Sequence, residues 1–103
     1  MRLNSILVEG TVLSAVSFTP ATDTSPDSAS FSIDCGPSAP SIPILVQGRL
    51  ALRCRTLVPG TLVRLVGRLH HDAEASSQSG HFSLVVLVEH VEVAPAIPHK
   101  EVA

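Results

Sequence analysis

One stretch of this chain changes hydrophobic period, and that change limits the fold more than anything else in the sequence. In 49–57 (RLALRCRTL), Leu50, Cys54 and Leu57 recur at i, i+4 and i+7, with Arg49, Arg53 and Arg55 largely on other faces. This spacing predicts a helix of about two turns, stopped by Pro59-Gly60. The other apolar segments are short or alternate with period two, as strands do. Segment 3–16 (LNSILVEGTVLSAV) is rich in β-branched residues, and Gly10 near its middle predicts a bulge or bend. A long bent first strand lets a small barrel share that strand between its two sheets. Segment 29–35 alternates Phe31, Ile33 and Cys35 with Ser30, Ser32 and Asp34. Segment 42–47 (IPILVQ) is a short strand whose Pro43 implies an edge or strand-start position.

Beyond the helix, 61–70 alternates again. Val63, Leu65, Gly67 and Leu69 share one face; Leu62, Arg64, Val66, Arg68 and His70 share the other. The last strand, 81–93, is apolar on both faces from Leu84 to Val88, which predicts cover by the core on one side and by a second chain on the other. Polar segments 17–28, with Pro20 and Pro26, and 72–80 read as loops. The order is strand, strand, strand, short helix, strand, strand. That is the layout of an all-β, five-stranded OB-fold Greek-key barrel with one helix between strands 3 and 4. The domain is expected to occupy 1–95, with a flexible C-terminal tail at 96–103.

The chain has 103 residues, enough for one modest core. Only 16% of residues are charged against 45% hydrophobic, which points to a surface partly covered by a partner subunit. No apolar run approaches the ~20 residues needed to span a bilayer. The N-terminal segment lacks a signal-peptide h-region, so a cytoplasmic location is expected. Cys35 and Cys54 read as free, buried thiols. The net charge is −2, but it is unevenly placed. Arg49, Arg53, Arg55, Arg64 and Arg68 lie between Cys35 and His71 without a single acid, and the nine acids lie outside. An arginine-only segment suits phosphate. Solvated arginines paired with acids from other strands are the plainer reading.

Several segments resemble the bacterial single-stranded DNA-binding protein family. Leu3-Asn4-Ser5-Ile6-Leu7-Val8-Glu9-Gly10-Thr11-Val12 is similar to the family's opening strand, an Asn-led apolar run ending in glycine. Phe31-Ser32-Ile33 is similar to its second strand. Ile44-Leu45-Val46-Gln47-Gly48-Arg49-Leu50-Ala51 is similar to its third strand entering the helix, and Pro59 through Leu69 to its fourth. The resemblance covers residues 3–93. Primosomal replication protein N is a second match in layout. The resemblance implies a non-enzymatic single-stranded DNA-binding protein of replication, repair or recombination, with little sequence preference. It also implies a homodimer or homotetramer, with replication proteins as further partners.

The chain departs from the family in two respects. It has no Trp and no Tyr, whereas the family stacks bases on aromatic rings, and Ile97-Pro98-His99-Lys100-Glu101 is not the family's acidic tail. The alternative is therefore an OB-fold protein-interaction module, a primosome- or replisome-type subunit with weak or no nucleic-acid binding.

For a single strand, the chemistry required is a basic groove and flat groups under the bases. The candidate residues are Arg64, Arg68 and His70 on one strand face, Phe31 and Phe18 as stacking rings, and Arg2 at the start. Phe31 serves equally well as core, and Phe82 reads as core. In this fold the helix plugs one end of the barrel, so Arg49, Arg53 and Arg55 read as solvated. His70, His71 and His81 flank one loop, yet no Cys-x-x-Cys or His-x-x-x-His is present, so no metal or other cofactor is expected. Neither cysteine sits in a nucleophile motif, and there is no phosphate-binding glycine loop, so no catalysis is expected.

Overall fold

A computed structural model describes residues 3–71 and 84–94. Six strands and one helix follow in order: β1 (Ile6–Val12), β2 (Ser17–Thr19), β3 (Ser28–Asp34), β4 (Ile42–Gln47), α1 (Arg49–Cys54), β5 (Leu62–His71) and β6 (Leu84–Val93). The sheet order is β1-β5-β6-β4-β3-β2, and β1 also pairs with β3. That last pairing closes the sheet into a five-stranded barrel, with β2 continuing the path of β1 along β3. All pairings are antiparallel except β4–β6.

Thr11 shows how the first strand serves both sides. It lies opposite Leu62 of β5 and also opposite Asp34 of β3. Gly10 makes the crossing possible: a Cβ there would stand 2.5 Å from the Asp34 carbonyl oxygen. Gly67 is the counterpart on β5, where a Cβ would collide with the Leu87 carbonyl. The β5–β6 register slips beside it. Val66 faces His90 while Gly67 faces Val88, so Glu89 is the extra residue of a bulge. At the free end of β1, the Asn4 amide takes the place of a strand residue. It donates to the Leu69 carbonyl at 3.1 Å and accepts from the Leu69 N–H at 2.9 Å.

The inward residues form one core: Val12, Phe31, Ile33, Ile44, Val46, Val63, Leu65, Val86, Val88 and Val91. Ala51 and Cys54 of α1 plug one end of it. Each large buried apolar side chain contributes roughly 1.5–3 kcal/mol by leaving water.

Three expectations change. The loop expected at 17–28 begins only after Thr19, because Ser17–Thr19 pairs with Ser28–Ser30 as β2. The first strand is interrupted at 13–16 rather than running to residue 16. The helix ends at Cys54, and Leu57 reaches the core from the turn beyond it. On the outward side of β6, Val85 is 9% exposed within the single protomer. Pro43 occupies the second position of β4, the strand-start role expected of it. The tail at 96–103, the loop at 72–80, Arg2, His81 and Phe82 lie outside the described residues.

Candidate nucleic-acid interface

Direct cross-strand partners point to the same side of a sheet, so the register defines the outer face row by row. Ser17, Ser30, Leu45, Leu87 and Arg68 form one row across β2, β3, β4, β6 and β5. A neighbouring row on β2, β3 and β4 holds Thr19, Ser28 and Gln47. A groove of about 340 Å³ opens here, with Ser14, Ser17, Ser30 and Ser32 offering hydroxyls beside Pro43, Leu45 and Val85. β3 and β4 are the second and third strands of the barrel. Alternation along β3 already puts Ser30 and Ser32 on one face, and the pairing of β2 with β3 adds Ser17 to it, which the sequence pattern does not show.

The structure spreads the sequence-predicted residues over different surroundings. Phe31 is buried at 5% exposure, its side chain on the face of β3 opposite Ser30 and Ser32. Its cross-strand partner is the buried Ile44, which fixes it inward. Phe18 pairs with buried Ala29 and also turns inward, and the Arg55 guanidinium sits over its ring at 5.7 Å. Among the described residues, the outer face therefore carries no exposed phenylalanine ring.

Arg64 lies between two carboxylates. It donates to Glu9 of β1 at 2.9 Å and to Glu92 of β6 at 3.2 Å, each being its direct cross-strand partner. Two acids thus offset its charge locally. Arg68 lies at a looser 3.9 Å from Glu89, the bulged residue. His70 is exposed on the same face as Arg68, at the end of β5. By contrast, Arg49 and Arg53 are exposed on α1 with no ion pair among the described residues.

Cys54 is buried and Cys35 half-buried, and both are free thiols. Burial pushes the Cys54 thiol up, partly offset by Arg53. Burial and the Asp34 charge push Cys35 up as well. Both thiols are thereby kept in the protonated, poorly nucleophilic form at neutral pH. Among the described residues, no group of three or more His, Cys, Asp or Glu side chains could hold a metal ion, and no helix is long and apolar enough to cross a membrane.

The chain matches no protein-family model and no curated protein. Its fold is shared with solved structures. It superposes on the SSB domain of a Synechococcus protein with a TM-score of 0.71 at 19% identity, over 89% of this chain and 97% of that one. It matches the single-stranded DNA-binding protein of Thermus aquaticus with a TM-score of 0.76 at 17% identity, over 93% of this chain and 42% of that one. The N-terminal domain of PriB protein from Thermoanaerobacter tencongensis, solved as a dimer, gives 0.69 at 18% identity, over 90% and 98%. The architecture is the OB-fold of single-stranded DNA-binding proteins.

Proposed function

We propose that the protein is a non-enzymatic binder of single-stranded DNA, with little sequence preference, acting in DNA replication, repair or recombination. The observation that carries this reading is the open, serine-lined groove on β3 and β4, on a barrel shared with single-stranded DNA-binding proteins. The strand lies across Ser30, Ser32, Pro43 and Leu45, with Arg68 and His70 at the rim. Arg64 contributes by tying β1, β5 and β6 together. Without an exposed phenylalanine ring, affinity rests mainly on phosphate contacts and hydroxyl hydrogen bonds, and it forgoes the ~1–3 kcal/mol that each such stack supplies.

A homodimer or homotetramer is part of the same reading. β1 is paired along one edge with β5, while β3 covers its other edge only at Thr11 and Val12. Leu7, at 68% exposure, stands on the outer side of that strand. The exposed Leu7, Leu13, Leu62 and Leu69 also favour the second reading, an OB-fold protein-interaction module of primosome or replisome type.

Titration with a labelled oligo-dT strand tests the first reading. Three or four phosphate contacts predict a roughly 20- to 50-fold loss of affinity between 50 and 200 mM salt. Failure to bind at low salt, together with a defined protein partner, establishes the interaction module instead.

A further inference from the structure

The arginines of this chain differ in whether their charge is answered. Arg64 has two glutamates and Arg68 faces one, so the outer side of β5 carries no surplus of positive charge. Arg49 and Arg53 have no carboxylate within ion-pair distance among the described residues, and both are exposed. They stand one helical turn apart, about 6 Å along the axis, on one side of α1. Arg55, two residues on from Arg53, projects from another side of the helix and lies over the Phe18 ring at 5.7 Å.

This arrangement is unfavourable within the chain itself. Like charges at i and i+4 repel one another. Arg49 also occupies the first turn, where the helix dipole favours an anion, and that turn holds no acid. The nearest acid in the adjoining loop, Asp27, uses its carboxylate to accept from the Ala21 N–H at 2.7 Å, and its carbonyl accepts from the Gly48 N–H. The position also connects to the groove. Pro43, Leu45 and Gln47 present outward along β4, and the chain then passes through Gly48 directly into Arg49. The first residue of α1 thus stands at the exit of the serine-lined face.

We propose that Arg49 and Arg53 hold the phosphodiester backbone of a single strand leaving the groove. They then supply most of its electrostatic attraction, in place of the arginines of β5. The proposal rests on the reading of the groove given above.

The test is the salt dependence of oligo-dT binding by the full chain. In Arg49→Ala/Arg53→Ala, two contacts are lost, and the log–log slope should become shallower by about 1.4. The affinity loss between 50 and 200 mM salt should fall to about 3- to 7-fold. Arg64→Ala should leave the slope of the parent unchanged, and Arg49→Lys/Arg53→Lys should retain it. Circular dichroism and the melting temperature establish that each variant is folded; Arg55 is left in place because it covers Phe18. A parent protein that binds, with an unaltered slope in the alanine pair, overturns this inference and leaves the groove reading intact. A parent that does not bind overturns both. Binding of polyglutamate by the same arginines, with no binding of oligo-dT, assigns the surface to acidic protein partners and overturns the proposal.

Discussion

Arg64 and Glu9 face each other directly across β1 and β5, joined by a 2.9 Å ion pair, with Glu92 completing the row from β6. All three side chains are more than half exposed. Solvent screening therefore limits each pair to at most about 1 kcal/mol. Arg64→Ala should lower unfolding free energy by less than about 1 kcal/mol. Arg64→Glu should cost more, about 1–2 kcal/mol, because three carboxylates then stand side by side. Urea unfolding at low and high salt checks this, and added salt should recover most of the Arg64→Glu loss.

The two buried glycines mark where strands approach too closely for any side chain. Gly67→Ala drives a methyl group into the Leu87 carbonyl, and Gly10→Ala drives one into that of Asp34. In both cases the obstacle is backbone, which cannot rotate away. Each substitution should cost about 3 kcal/mol, the upper range for forced overpacking. Thermal unfolding should place both variants well below a surface control such as Ser38→Ala.

The thiols give a pH dependence of known sign. Burial raises the Cys54 thiol above its ordinary value of 9.0, so in the unfolded chain it loses its proton first. Over that interval the folded state holds more protons, and stability falls as pH rises. The thiol's contribution is complete below about pH 9, the unfolded value, and is lost as pH climbs through the folded one. Cys35 acts in the same direction. Urea midpoints at pH 7 and pH 10 should differ less in Cys54→Ala than in the parent.

The bare outer face allows a gain of function. Ser30 is exposed in the middle of the groove, between Ser17 and Leu45. Ser30→Trp supplies the flat ring that this row lacks, and one stack adds about 1–3 kcal/mol, or roughly 5- to 150-fold in affinity. Since the chain has no other tryptophan, quenching of the new fluorescence by oligo-dT reports the stack directly.

The elements that could be read in advance were those whose period extends over several residues. On β5, Val63, Leu65 and Gly67 turn inward and Leu62, Arg64, Arg68 and His70 outward, as alternation requires. Leu69 breaks the pattern at 49% exposure near the end of the strand. β2 escaped notice because three residues, Ser17, Phe18 and Thr19, carry too little alternation to distinguish from a polar loop. The site was harder still. Glu9 and Glu92 are remote from Arg64 in sequence, and only the register of two ladders shows that they enclose it. The same alternation that put Phe31 on a strand left open which way its ring points; pairing with Ile44 turns it into the core.

The parallel pairing of β4 with β6 also bears on how fast this chain reaches its native state. Ile44 meets Val86 only after the helix and the whole of β5 have been laid between them. Contacts of such long sequence separation demand loop closure before they return any stabilisation. Barrels dominated by them fold in milliseconds to seconds, whereas helical bundles of similar size need only microseconds to milliseconds. Until β6 arrives, β4 is left with an unpaired edge, so a newly made chain is most vulnerable to association during that interval. Stopped-flow refolding should show a single slow phase that Val86→Ala retards, if this pairing forms in the rate-limiting step.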